Sequence, residues 1–359
     1  MKSLKLQELS VLRNSCSKAH CRYWQQSFAL FIITLSQLAL SSSQQQTREG
    51  NLIFQPESPH SHWKFKTSVN MTSRTVSKSV LSKWMDEGQG ARVRRSVGRR
   101  ELKNLDPFLM LDEFLVQQPA GFPDHPHRGF ETVTYMLEGS FRHEDFVGHA
   151  GTINAGDLQW MTAGRGILHC EMPVGDKPNR GLQLWVNLKK TEKMVKPAYQ
   201  ELLDKDIPQV TKNGVRVKVI AGESMGITSP VYTRTPTSYL DFKVDPGAKF
   251  SQPIPEGWTA FAYILAGKVH FGPAGNQKEE DAHHTVVFSD GNLIEFDNKG
   301  NEVCHFVLIS GEPIKEPIVQ HGPFVMNSQE EIYQAISDYQ NGMNGFENAN
   351  KWKSSVYKR

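Results

Sequence analysis

Residues 125–139, His-Pro-His-Arg-Gly-Phe-Glu-Thr-Val-Thr-Tyr-Met-Leu-Glu-Gly, decide the fold. Its second half, from Thr132 to Leu137, is rich in β-branched and aromatic residues and runs into Gly139, as a buried strand running into a turn does. Residues 183–188, 215–220 and 304–309 share the pattern, either alternating or continuously apolar, and Gly, Pro, Asn and Asp bound them. Short strands with regular turn signals predict an all-β sandwich or barrel. The stretch also has an echo. Phe130-Glu-Thr-Val-Thr-Tyr-Met-Leu-Glu-Gly139 resembles Trp258-Thr-Ala-Phe-Ala-Tyr-Ile-Leu-Ala-Gly267, each with an aromatic start, a β run and Tyr-x-Leu-x-Gly into a turn. A duplicated β-barrel suits a chain of 359 residues, with the polar segment 203–214 as linker. One helix is predicted late. Ser328 with Glu331 forms a capping box, Ile332, Ala335 and Ile336 make an apolar face, and Asn341-Gly342 stops it.

The first half of the opening stretch carries chemistry. Residues i and i+2 of a strand project from the same face, so His125 and His127 point together, as do His169 and Glu171 further on. Two such pairs on neighbouring strands converge inside a barrel. Three imidazoles and a carboxylate form a mixed N/O set that suits Fe(II), Mn, Ni, Co or Cu better than a closed structural zinc site. Four protein ligands leave two octahedral positions open for a substrate or dioxygen. Glycines at 156, 164 and 166 frame the second pair and bend its strand inward. Arg128 is a contact residue or a structural ion pair. Trp160 and Met161 read as core before pocket, and Cys170, between two ligands, reads as a packed thiol. Asp281-Ala-His283-His284 reads as a polar turn, since adjacent histidines on a strand face opposite ways.

Composition narrows the classes. Hydrophobic residues at 38% support a sizeable core and exclude wholesale disorder. No apolar run reaches the roughly 18–20 residues of a spanning helix, so no membrane span is expected. The net charge of +3 is uneven, because residues 1–75 hold nine Lys/Arg against three Glu. The body is mildly acidic, and direct nucleic-acid binding is not expected without clustered cations. Of four cysteines, Cys16 and Cys21 lie in the tail and Cys170 and Cys304 far apart in the body. That spacing indicates neither a disulfide framework nor a zinc ribbon, and a reducing compartment is the default.

Residues 1–71 form a separate extension, either disordered or targeting. They are rich in Ser and Gln, and the apolar stretch 28–40 precedes Ser41-Ser42-Ser43. Three readings stay open: a secretory signal with an unusually long 27-residue lead, a transit peptide, or an unstructured extension with the true start near Met71. Asn70-Met71-Thr72 is a glycosylation sequon that matters only in a secreted chain.

His-Pro-His-Arg-Gly-Phe-Glu-Thr-Val-Thr-Tyr (125–135), followed by Gly-Asp-Leu-Gln-Trp-Met-Thr-Ala-Gly-Arg-Gly-Ile-Leu-His-Cys-Glu-Met-Pro (156–173), resembles the pirin family of the cupin superfamily. Arg94-Arg-Ser-Val-Gly98 and Leu105-Asp-Pro-Phe-Leu-Met-Leu-Asp112 fit the same pattern, and the resemblance spans roughly 72–340. It implies a bicupin of two face-to-face antiparallel β-barrels: a metal-binding barrel at 72–205, a metal-free barrel at 212–340 and a tail at 341–359. The implied ligands are His125, His127, His169 and Glu171, holding one Fe(II) per chain. Glu131, where general cupins often place a ligand, falls outside the pirin set. Pro253 and Pro255 align with His125 and His127, which leaves the second barrel without metal ligands.

Two functions are implied by the resemblance. One is flavonol (quercetin) 2,3-dioxygenase activity on a flavonol-like small molecule, with Glu171 as both ligand and base. The other is an iron-dependent nuclear transcription cofactor that binds regulatory protein partners. A monomer in nucleus and cytoplasm is expected, with organelle targeting or secretion through residues 1–41 as the alternative.

Overall fold

The computed structural model describes residues 71–87 and 90–357. The readings of the tail, its apolar stretch and Asn70 lie outside the described residues. Among the described residues the fold is all-β, a bicupin with one short α-helix near its end.

After an opening strand, β1 (Val76–Leu81), the first half is built from β2 (Trp84–Glu87), β3 (Ala91–Val97), β4 (Phe108–Val116), β5 (Phe122–His127), β6 (Phe130–Glu138), β7 (Ser140–Asp145), β8 (Ala150–Asn154), β9 (Leu158–Thr162), β10 (Ile167–Pro173), β11 (Asn179–Asn187) and β12 (Ala198–Leu202). A seven-stranded sheet, β12-β9-β6-β11-β4-β3-β2, faces the four-stranded sheet β5-β10-β7-β8. The second half repeats the plan. Its seven-stranded sheet has Thr259–Ala266 and Cys304–Gly311 where the first has β6 and β11. The two ten-residue echoes are thus equivalent central strands, each ending at a glycine with positive φ, 76° at Gly139 and 73° at Gly267.

Continuous apolar character in these strands follows from burial on both faces. One face of β6 and β11 looks into the barrel and carries Thr132, Thr134, Gln183 and Trp185. The other presents Val133, Tyr135, Leu182, Leu184 and Val186, which share one apolar cluster with Tyr239, Phe261, Tyr263, Val307 and Ile309 of the second half. Two phenols tie this interface: Tyr135 Oη donates to Asp241 Oδ2 at 2.7 Å, and Tyr263 Oη to Glu113 Oε2 at 2.6 Å. Burying each hydroxyl against a carboxylate meets the requirement that buried polar groups be partnered.

Two segments cross the linear division anticipated from the sequence. β1 pairs with His284–Phe288 and so extends the large sheet of the second half. The chain end returns to the first half: Phe324, Met326, Ile332, Ala335, Phe346 and Ala349 pack with Met161, Ile167 and Leu168. Within that return lies α1 (Gln329–Asn341), which has the predicted capping box of Ser328 and Glu331 and the predicted stop at Gly342, with φ 63°. The segment expected as a linker contains a strand, Gln209–Lys212, paired with Val215–Ala221 across Asn213-Gly214. Both turn residues have positive φ, the Asn-Gly hairpin geometry. Among the described residues, no helix is long and apolar enough to cross a membrane.

Candidate metal centre

The centre begins with register. β10 pairs antiparallel with β5, placing His169 directly opposite His125 and Ile167 opposite His127. Side chains of a directly opposed pair share a face, and the i, i+2 rule adds His127 to it. The His125 and His169 Nε2 atoms lie 2.9 Å apart. Ring centroids are separated by 4.7 Å for His125–His127 and 5.0 Å for His127–His169. One nitrogen from each of the three rings falls within 4.8 Å of the others.

The tautomers suit coordination. His125 Nδ1 is 2.7 Å from the Pro123 carbonyl, which only accepts, so Nδ1 carries the proton and Nε2 offers a lone pair. Both His127 ring nitrogens are buried with no hydrogen-bond partner among the described residues. Orphaned buried polar atoms are rare in folded proteins, and a cation shared with His125 and His169 would satisfy one of the two. Burial, reinforced by the neighbouring imidazoles, holds His127 and His169 well below the ordinary histidine range. They are therefore neutral at physiological pH, the form that binds metal. The residues fit a divalent transition metal.

Glu171 stands at the edge of the cluster, with Oε2 4.0 Å from His169 Nε2. The ladder is irregular between His169 and Glu171, which takes the carboxylate slightly out of line. Gln183 Nε2 donates to Oε2 at 3.3 Å, and the Thr134 hydroxyl lies 3.2 Å from Oε1. Burial pushes the Glu171 carboxyl up, partly offset by His143, Thr134 and Gln183. Thr134 and Gln183 escaped the sequence reading. Their signal was polarity at inward positions of otherwise apolar strands. Phe130 and Trp185, with centroids 4.4 Å apart, wall the His127 side at 5.2 and 5.4 Å from its ring.

The other singled-out residues fall elsewhere. Glu131 has the parity of Val133 and Tyr135, so it points away from the barrel interior and accepts from Thr162 Oγ1 at 2.6 Å. Arg128 makes a buried ion pair with Asp338 on α1, Nη1 to Oδ2 2.7 Å. Trp160 belongs to the apolar cluster between the halves, and Met161 to that under the chain end. Cys170 is a free, buried thiol, pushed up to about 12 by burial. His283 lies in a turn with φ 67°, its Nδ1 3.4 Å from Glu113.

The chain and its fold are also similar to those of known proteins. The family model described as Pirin matches residues 90–186, and the Pirin C-terminal cupin domain matches 239–345. The chain is 62% identical over 286 residues to Pirin of Homo sapiens, covering 79% of this chain and 99% of that protein. It is 58% identical over 288 residues to a Pirin-like protein of Solanum lycopersicum, covering 80% and 99%. Among solved structures, a quercetin 2,3-dioxygenase from Acinetobacter baumannii superposes with TM-score 0.69 at 33% identity, covering 76% of this chain and 98% of that one. A bacterial pirin from Escherichia coli in complex with nickel(II) shares the fold, with TM-score 0.52 at 17% identity over 66% and 99% of the two chains.

Proposed function

Because the chain belongs to the pirin family, we propose that it binds one Fe(II) through His125, His127, His169 and Glu171 and acts as a flavonol (quercetin-type) 2,3-dioxygenase. The observation that carries this reading is the inward convergence of three neutral imidazoles beside a buried carboxylate. The superposition on a quercetin 2,3-dioxygenase supports the substrate class. When bound, the metal supplies Lewis acidity and open positions for substrate and dioxygen.

This chain's own residues supply the rest. The three imidazoles hold the cation, with the His125 tautomer fixed by the Pro123 carbonyl. Glu171 accepts the proton of the substrate hydroxyl. Gln183 and Thr134 aim its two oxygens. Phe130 and Trp185 offer an apolar wall for an aromatic ring and keep water from the His127 side. Deprotonation leaves the flavonol electron-rich toward oxygen.

The test is anaerobic purification of the full chain, metal analysis, then oxygen uptake with quercetin. Stoichiometric iron and flavonol-dependent uptake are expected. Iron-loaded protein without uptake on any flavonol contradicts the enzymatic reading.

A further inference from the structure

A second cluster lies in the same barrel, beyond Glu171. Opposite Glu171 in the β7–β10 ladder stands His143, fully buried. The β7–β8 turn brings His149 beside it, and β12 contributes Glu201. A polar row crosses four strands between the two clusters: Gln183 opposes Thr134, Thr134 opposes Gln159, and Gln159 opposes Glu201. The row begins on the Glu171 carboxylate and ends on the Glu201 carboxylate.

From this geometry we propose that His143, His149 and Glu201 form a second divalent-cation site, distinct from the three-histidine centre. Glu201 Oε1 is 3.0 Å from His143 Nε2 and 3.1 Å from His149 Nε2, and the three ligand atoms lie within 4.8 Å of one another. The His143 contact is not a hydrogen bond. Its Nε2 is buried and aimed off the line to the oxygen, so it has no partner among the described residues. His149 Nε2 is hydrogen-bonded to Glu201 Oε1, so the buried His143 Nε2 left over beside that pair is the atom a cation among the three would satisfy. The rings are pre-set: His143 and His149 stack at 5.1 Å and 27°, and Tyr199 stacks on His149 at 4.0 Å. Gln159 Nε2 fixes Glu201 Oε1 at 2.7 Å. Space is reserved as well, since a Cβ on Gly151 would stand 2.6 Å from His143 Nε2 and 3.7 Å from Glu201 Oε2. Burial raises the Glu201 carboxyl, but the two facing imidazoles and the Gln159 amide outweigh it and hold the group below the usual carboxylate range, in the ligand form. Two imidazoles and one carboxylate with a position left open suit a borderline cation such as Zn²⁺ or Co²⁺.

The site is tested by titrating the metal-free full chain with Co²⁺, following equilibrium dialysis and ligand-field absorption. The wild type is expected to take up two equivalents. His149→Ala, at a half-buried position, and Gly151→Ala, which fills the reserved space, are each expected to take up one. His127→Ala reports separately on the three-histidine centre, so failure of one site does not disguise failure of the other. A wild type that binds a single equivalent, or a His149→Ala variant that keeps both, overturns the proposal.

Discussion

His125 and His169 face each other across the β5–β10 ladder and bring their Nε2 atoms to 2.9 Å. The histidine cluster is thus a product of strand register, made on the scaffold itself. A slip of β10 by one residue would turn His169 away from His125. His127 follows by alternation, and the irregularity after His169 places Glu171 at the edge of the cluster. That edge position suits a group asked to touch both metal and substrate.

Glu171→Gln separates these two roles. The amide oxygen still coordinates weakly, so the variant is expected to keep part of its metal. Flavonol turnover should fall by about 10² or more, the usual worth of a positioned base. Full turnover with metal retained would show that the base lies elsewhere.

The second barrel should hold no metal. Pro253 sits opposite Leu293, and the surrounding interior is filled by Phe242, Phe271, Phe296 and Phe306. The double variant His127→Ala/His149→Ala is therefore expected to retain no tightly bound transition metal. One remaining equivalent would point to a site in the second barrel.

Asp338 neutralises a fully buried Arg128 and holds the chain end against the first barrel. Arg128 also donates to the Arg165 and Asn344 carbonyls and lies over the Phe346 ring at 4.8 Å. Asp338→Ala strands the guanidinium without its counter-charge, at a cost of about 3–5 kcal/mol in denaturant unfolding. A loss below about 1 kcal/mol, the level of a surface pair, would contradict this assignment.

Glu131 makes stability depend on pH. Burial raises its carboxyl from 4.5 to about 7. Between those values the unfolded chain has released the proton and the folded chain keeps it. The group's contribution is then complete below the unfolded value and lost as pH rises through about 7. Glu131→Gln cannot titrate. Relative to wild type it should gain on the order of 3 kcal/mol between about pH 4.5 and pH 8, because each tenfold rise in proton affinity is worth about 1.4 kcal/mol. Melting curves of both proteins at the two ends of that range check this, and a constant difference between them would refute it.

Much of this was legible in the sequence because it is local. Alternation placed the central strands, the Tyr-x-Leu-x-Gly echo marked the duplication, and Ser328, Glu331 and Gly342 bounded the helix. Same-face pairing named the three histidines that converge in the first barrel. What escaped depends on contacts distant in sequence. No local pattern says that Val76–Leu81 pairs with His284–Phe288, or that Phe346 returns beneath Ile167. His143 and His149 are six positions apart, too far along a continuous strand to share a site until the β7–β8 turn folds them together, and Glu201 reaches them only through the β9–β12 edge. Polar Gln209–Lys212 resembled a linker because an exposed edge strand buries little.

The most direct test of the account is the iron content of full-length His127→Ala purified anaerobically beside the wild type. His127 has two buried ring nitrogens and, among the described residues, no hydrogen-bond partner for either. The wild type is predicted to carry one iron per chain and the variant to lose most of it while remaining folded by circular dichroism. A folded variant with undiminished iron would contradict the assignment.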